Sequence, residues 1–463
     1  MENKSKNGMQ ILAGLTSTMA MLTCGYHISW ASPSLPKLEA ADSDLYLTSD
    51  QGAWLVSTLT MGCFLGTMLA PPIIDKLGRK MSLLISTVPN IVAGILLAVS
   101  TNFWGLIAAR FIAGMALGIP LIALPIYAGE IATDEMRGAI GAFTSQLSNV
   151  GILLTYSVGP WVNRMGLAGL GIALPVLFFS VFVWMPESPY FLMTKNKRER
   201  AIKSLRWLRG IEDVNAEIRK IEESIEFDRR NAGTIKDLVM VPGSRRALLI
   251  VVTLMVGQQL SGIGAVLAYS GLIFEVAGTN LDSSVSVIIL GFLQALTSVL
   301  CIFIVDLMGR KPLLLISAAG SAISLTGVAL FFQLEALCMD VSSIFWLPLT
   351  GLGGYIVSYM LGLGTLVFVI TSEMFAYNVK AVASMVITMG GSFTAMIVTK
   401  LYQMVADAWG IHTAFWGFSG ITLFTIMFIT FFVSETKQRS LQDIQKQYHK
   451  STDSKIALKL SDP

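Results

Sequence analysis

Asp75-Lys76-Leu77-Gly78-Arg79-Lys80 stands between two long apolar runs, and Asp306-Leu307-Met308-Gly309-Arg310-Lys311 repeats its pattern between two others. An acid, a glycine and two bases are costly beside apolar chain unless they lie at a membrane surface. Glycine permits a tight turn there, and bases favour the cytoplasmic face. Each copy follows about two apolar segments of its own half, so the spacing reads as an internal repeat.

More of the chain follows the same plan. Glu130 lies seven residues before Arg137, and Glu373 lies seven residues before Lys380. The first half closes on Pro186-Glu187-Ser188 and the second on Ser434-Glu435-Thr436-Lys437. Two copies of one design, each ending in an acid at the surface, fit a transporter built from two parallel halves.

Composition agrees with that class. The 463 residues are 54% hydrophobic and 14% charged, where a soluble domain carries about 25% charged residues. The pattern predicts an all-α membrane protein with twelve transmembrane helices in two six-helix halves. The spans fall near 11–31, 51–74, 81–100, 103–128, 138–159 and 166–185, then 247–275, 283–305, 312–334, 344–371, 380–405 and 412–433. Residues 1–185 form the first half and 247–433 the second. Residues 186–246 form a linker in which Ile218, Ile221 and Ile225 recur at helical spacing, so short amphipathic helices are expected. Residues 434–463 form a polar tail.

Lys and Arg crowd into the linker and the repeat loops, which places the linker and both termini in the cytoplasm. The short polar N-terminus, with Lys4 and Lys6, runs into a spanning segment and does not read as a cleavable signal peptide. The basic linker adjoins a membrane helix, so its expected partner is anionic lipid rather than nucleic acid. Cys24, Cys63, Cys301 and Cys338 read as small packing residues, and His27, His412 and His449 are too scattered for a metal site. No phosphate loop, nucleophile elbow or HExxH pair is present, so no enzyme is indicated. Gly114 and Gly118 form a face on which a neighbouring helix can approach closely. Pro120 and Pro125 are expected to bend the same helix. Arg110 and Lys400 fall toward the outer ends of their spans and are expected to snorkel to the surface.

Further motifs carry a family resemblance. They are the two Asp-x-x-Gly-Arg-Lys loops, Arg110-Phe111-Ile112-Ala113-Gly114, Pro125-Ile126-Tyr127-Ala128-Gly129-Glu130 and Pro186-Glu187-Ser188-Pro189. Gln258-Gln259-Leu260-Ser261-Gly262-Ile263 and Ser434-Glu435-Thr436-Lys437 complete the set. In this order and spacing the chain resembles the sugar porters of the major facilitator superfamily, in the branch of insect facilitated trehalose transporter-like proteins. The resemblance implies that Gln258, Gln259 and Gln294 hydrogen-bond sugar hydroxyls, with Gln146 beside them. It implies that Asp75, Arg79, Glu130 and Arg137 latch against Asp306, Arg310, Glu373 and Lys380 on the cytoplasmic side when the carrier faces outward.

Departures from the family pattern are equally specific. His27 stands where proton-coupled members carry an aspartate, and Gly264 replaces an asparagine. Ser145 stands at the fifth helix's glutamine. Met360 falls near an expected tenth-helix acid. Thr365, Val367 and Phe368 replace the two prolines and tryptophan of the tenth helix, and Gly391 and Ser392 replace Asn-Trp in the eleventh.

A buried amide wants a partner, so the three glutamines suit either a sugar or bonding between helices. Tyr269 and Phe368 suit either stacking on a sugar face or core packing. The expected function is passive, alternating-access transport of a neutral sugar, trehalose or a hexose, across the plasma membrane, with no cofactor. The alternatives are a proton-coupled sugar symporter, or a sugar-sensing or transport-dead receptor on the same fold.

Overall fold

A computed structural model describes residues 8–43, 45–231, 235–278, 281–375 and 377–435. The side chains of residues 134, 135, 137, 228, 229, 231, 235–237, 306, 372, 377, 378, 380 and 381 lie outside that description, and with them the expected roles of Arg137, Asp306 and Lys380. All regular structure among the described residues is helical.

The first run of apolar chain, Gly8–Glu39, is three helices laid end to end: α1 (Gly8–Thr18), α2 (Ala20–Ser29) and α3 (Ala31–Glu39). Next come α4 (Ser49–Leu77), the pair α5 (Arg79–Ile85) and α6 (Thr87–Val99), α7 (Phe103–Ile131), α8 (Asp134–Val158) and α9 (Arg164–Phe182). Four shorter helices occupy the polar stretch: α10 (Pro189–Thr194), α11 (Arg198–Arg209), α12 (Asn215–Asn231) and α13 (Ile235–Met240). The remainder is α14 (Pro242–Leu260), α15 (Ile263–Val276), α16 (Ser283–Met308), α17 (Arg310–Ala336), α18 (Leu347–Leu361), α19 (Leu363–Met374), α20 (Tyr377–Trp409) and α21 (Ile411–Phe432).

Among the described residues, 11 stretches are long and apolar enough to cross a membrane, against the twelve expected. The difference is α8. It has 25 residues, but Thr144, Ser145, Gln146, Ser148, Asn149 and Thr155 dilute its apolar character. Large apolar side chains such as Phe303, Ile323 and Phe431 lie on the outside of the bundle and are mostly exposed. Apolar surface of that extent belongs against hydrocarbon rather than water.

Helix contacts follow from small residues. α4 packs closely against α7. A Cβ added at Gly114 would fall 2.1 Å from the Leu59 carbonyl oxygen, and one at Gly118 would fall 2.3 Å from the Gly66 backbone. The close approach therefore depends on the missing side chains. Pro120 and Pro125 do not interrupt α7, which runs unbroken from Phe103 to Ile131.

Breaks occur elsewhere, at Ser261–Gly262 between α14 and α15 and at Gly362 between α18 and α19. A break inside a membrane frees backbone groups that need new partners. These two breaks supply one another. The Tyr355 hydroxyl on α18 donates to the Ser261 carbonyl at 3.1 Å. The Gln258 amide on α14 donates to the Leu363 carbonyl at 2.7 Å. Ser317 Oγ accepts from the Leu363 N–H at 2.9 Å.

The polar stretch is tied to the first copy of the repeat. Arg209 at the end of α11 is buried. Its Nη1 donates to Gln10 Oε1 at 2.7 Å and to the Ile131 carbonyl at 2.9 Å, and its Nη2 pairs with Glu217 at 2.6 Å. Ile218 and Ile225 on α12 are buried, and Ile218 packs with Leu205 of α11.

Candidate transport site

At the end of the bundle that carries the two glycine-base loops, the structure shows the repeat as matching bonds. Gly78 and Gly309 both have positive φ, 98° and 88°. Each turns the chain from one long helix into the next, in a conformation that a Cβ opposes. Beyond Gly78, Glu187 Oε1 accepts the backbone N–H groups of Arg79 and Lys80 at 3.1 and 3.0 Å. Beyond Gly309, Glu435 accepts those of Arg310 and Lys311 at 3.0 and 3.1 Å. Lys80 Nζ donates to the Val183 carbonyl at 2.7 Å, and Lys311 Nζ to the Thr430 carbonyl at 2.8 Å.

Among the described side chains, one ion pair of this network forms within each copy. Arg79 reaches Glu130 through both Nε and Nη2, the shortest contact being 2.8 Å. Ser188 Oγ donates to the same carboxylate. Arg310 reaches Glu373 through Nε at 3.1 Å and Nη2 at 3.0 Å. Asp75 is exposed and makes no bond among the described residues. No described ion pair joins one copy to the other at this end.

Halfway along the bundle the two copies meet through amides and hydroxyls. Gln294 Nε2 on α16 donates to Asn149 Oδ1 on α8 at 3.0 Å. Ser298 Oγ, also on α16, donates to Gln146 Oε1 on α8 at 2.9 Å. Gln294 and Gln258 are both buried, and the Oε1 of each has no donor. Gln259 is half-buried and makes no side-chain bond among the described residues. Cys63 of α4 lies beside Ser392 of α20, and the rings of Phe64 and Phe393 approach to 5.8 Å.

The two aromatic candidates separate. Tyr269 is buried, its hydroxyl donating to the Thr399 carbonyl at 3.3 Å and its ring 5.0 Å from that of Tyr402. In this state it is packed between helices. Phe368 is 53% exposed and is free to meet a ligand or lipid.

The far end of the bundle is closed by bonds between copies. Ser32 Oγ lies 2.8 Å from Ser270 Oγ and accepts the Gly271 N–H at 3.1 Å. Lys400 pairs with Asp50 at 2.6 Å and lies 4.5 Å from the centre of the Trp54 ring. Ser49 Oγ donates to Asp407 at 2.6 Å and accepts from Gln403 at 2.7 Å. The described polar contacts between copies thus run from mid-bundle to this end and stop short of the basic loops.

Arg110 does not snorkel. It is 1% exposed, donates to the carbonyls of His27 at 2.8 Å and Leu55 at 3.3 Å, and lies 5.0 Å from the Trp30 ring centre. Its neighbours on α2 and α4 enclose it before it can reach a surface. Lys400 does reach one, but through an ion pair.

Several residues of this framework escaped the sequence reading. Asn149 could have been found, because it lies three residues after Gln146 and therefore on the same helix face. Ser298 stands in the same way four residues after Gln294. Asp50, Ser49 and Asp407 could not, because nothing in the sequence pairs α4 with α20.

A helical bundle of many spans, with polar groups at mid-depth and bonds between the two copies at one end, defines a membrane carrier of the major facilitator fold. Residues 11–448 match the family model described as "Sugar (and other) transporter", and the chain belongs to that family. It is 34% identical over 446 residues to the "Facilitated trehalose transporter Tret1-2 homolog" of Drosophila simulans, covering 95% of this chain and 90% of that one. It is 32% identical over 441 residues to the "Facilitated trehalose transporter Tret1" of Aedes aegypti, covering 95% of this chain but 55% of that longer protein. In three dimensions it resembles the xylose transporter XylE from E. coli in a partially occluded inward-open conformation. That match has a TM-score of 0.80 and 22% identity, and covers 94% of this chain and 100% of that one. Family membership makes the chain a transporter and not an enzyme.

Proposed function

We propose that the chain carries a small neutral sugar, trehalose or a hexose, across the plasma membrane by alternating access, driven by the sugar gradient alone. Twelve spans in two six-helix halves, 1–185 and 247–433, would do this, with the linker, the tail and both termini cytoplasmic. α8 is the added span. Its 25 residues are roughly 37 Å long, enough for a hydrocarbon core of about 30 Å, and its amides serve the interface rather than the lipid.

The observation that supports the reading most is the pair of orphaned acceptors. Gln258 Oε1 and Gln294 Oε1 are buried without donors, at a cost that a ligand hydroxyl relieves. A sugar offers hydroxyls that donate and accept, and the side-chain amide of Gln259 is free to do both. The insect relatives bear the name of trehalose transporters, which favours that sugar within the class. Passive transport is favoured by His27, which leaves Arg110 without a carboxylate partner. The four charged positions of each copy would join across the basic end when the far end opens. In the present state Arg79 pairs with Glu130 and Arg310 with Glu373, each within its own copy.

Counterflow uptake of labelled sugars into liposomes tests the reading. Trehalose or a hexose is expected to exchange, without accumulation that an uncoupler abolishes. Gln258→Ala and Gln294→Ala are expected to weaken apparent affinity roughly 3- to 30-fold. Exchange of no sugar across the panel would overturn the proposal. Uncoupler-sensitive accumulation would replace passive transport with proton-coupled symport.

A further inference from the structure

Arg110 presents a problem that the transport reading leaves unsolved. A guanidinium is always charged, and inside a membrane such a charge is paired. Arg110 is 1% exposed, yet no described carboxylate pairs with it. Its Nε and Nη1 use the Leu55 and His27 carbonyls. Nη2 has no acceptor in hydrogen-bond geometry among the described residues.

The surrounding side chains are short of partners in the same way. The indole N–H of Trp30 finds no acceptor, although its ring lies over the guanidinium. Both ring nitrogens of His27 are unpartnered, as are Asn90 Oδ1 and Thr23 Oγ1. Thr23 stands one turn before His27 on α2, and both face inward. Asn90 Oδ1 can take the imidazole N–H, which leaves the guanidinium, the indole N–H and the Thr23 hydroxyl as donors in want of an acceptor. Neutral water would satisfy hydrogen bonds here but not the charge.

Trp30 also lines a cavity of about 100 Å³ toward the far end of the bundle. Lys37 and Arg164 stand in its wall beside Ser34 and Asn163. Lys37 Nζ donates to the carbonyls of Gly159, Pro160 and Val162, and Arg164 donates to that of Ser100. Both cations are thus held in place, and the vestibule attracts anions.

We propose that the pocket around Arg110, formed with Trp30, His27 and Thr23 and reached past Lys37 and Arg164, binds a monatomic anion, chloride, as the counter-charge of the buried guanidinium. Arg110, Trp30, His27 and Thr23 are at most 3% exposed, so the anion is enclosed, and a small halide is the least bulky counter-charge. The anion acts as a fixed structural partner and takes no part in recognising the sugar.

Thermal unfolding of the purified carrier in nanodiscs tests this without reference to transport. Sodium chloride is compared with sodium gluconate at equal ionic strength, with bromide as a second halide. Chloride and bromide are expected to raise the midpoint saturably, by at least ~1 °C. Trp30→Phe keeps the ring and removes the N–H, and is expected to raise the half-saturating chloride concentration about 3- to 10-fold. His27→Asp places a carboxylate beside Arg110 and is expected to abolish the difference between the salts. Equal wild-type midpoints in chloride and gluconate would overturn the proposal, even if neither variant folds. So would a halide shift that is unchanged in Trp30→Phe, which would mark a general salt effect.

Discussion

Glu187 shows what one side chain does when it closes a repeat. Its carboxylate takes the backbone N–H groups of Arg79 and Lys80, which begin α5 and have no partner inside that helix. Glu435 does the same for Arg310 and Lys311. Negative charge at a helix N-terminus is also favoured by the helix dipole. Both acids were legible in the sequence as surface residues ending each half. Their target was not, because it lies more than 100 positions away along the chain. Glu187→Ala strands two N–H groups and is expected to destabilise the protein by about 2–4 kcal/mol. Glu187→Gln retains an acceptor and is expected to lose less than half of that. Thermal unfolding midpoints of the two variants measure the difference, and equal midpoints would mean that the carboxylate is not the cap. Arg110 marks the opposite limit of legibility. Its place in a span was visible, but its depth depends on Trp30 and His27, which come from a helix that the sequence does not place beside it.

At the scale of the element, the fold depends on where helices are allowed to touch or to break. The small-residue face of α7 was readable from Gly114 and Gly118. Its partner, the Gly62–Gly66 face of α4, emerges only from packing. With Cβ positions at 2.1–2.3 Å from facing backbone atoms, no rotamer change can relieve an added methyl. Gly118→Ala is expected to push α4 and α7 apart and to destabilise by about 1–3 kcal/mol, read as a lower unfolding midpoint. Gly129→Ala serves as the control, since its Cβ would meet nothing within 4 Å. The breaks were harder to foresee. Pro120 and Pro125 lie inside α7, and that helix continues through them without a break. The break in α18–α19 comes at Gly362, although the tenth-helix prolines of the family are absent here. A proline within a helix weakens it, yet the neighbours decide whether it breaks. Tyr355 and Gln258 support the two breaks from outside, and no local pattern records them.

At the scale of the whole molecule, the described bonds between the two copies lie at mid-depth and at the far end, and they yield the most direct test of alternating access. The first and second copies are bonded at the far end by Ser32 to Ser270, Asp50 to Lys400 and Ser49 to Asp407. An exposed ion pair contributes only about 0–1 kcal/mol, so removing Lys400 alone should shift the balance of states little. A covalent bond across the same surface removes the choice altogether. Ser32 and Ser270 suit it best, since their hydroxyl oxygens are 2.8 Å apart and both residues are buried between α3 and α15. The native cysteines Cys24, Cys63 and Cys301 are buried, and the exposed Cys338 is replaced by serine in the background. The double variant Ser32→Cys/Ser270→Cys is expected to lose sugar counterflow on oxidation and to recover it on reduction. Each single variant should be unaffected by either treatment. Linked peptides identified by mass spectrometry confirm that the bond has formed. Full counterflow with the bond in place would mean that the far end does not open during transport, and that the two copies do not move against each other as alternating access demands.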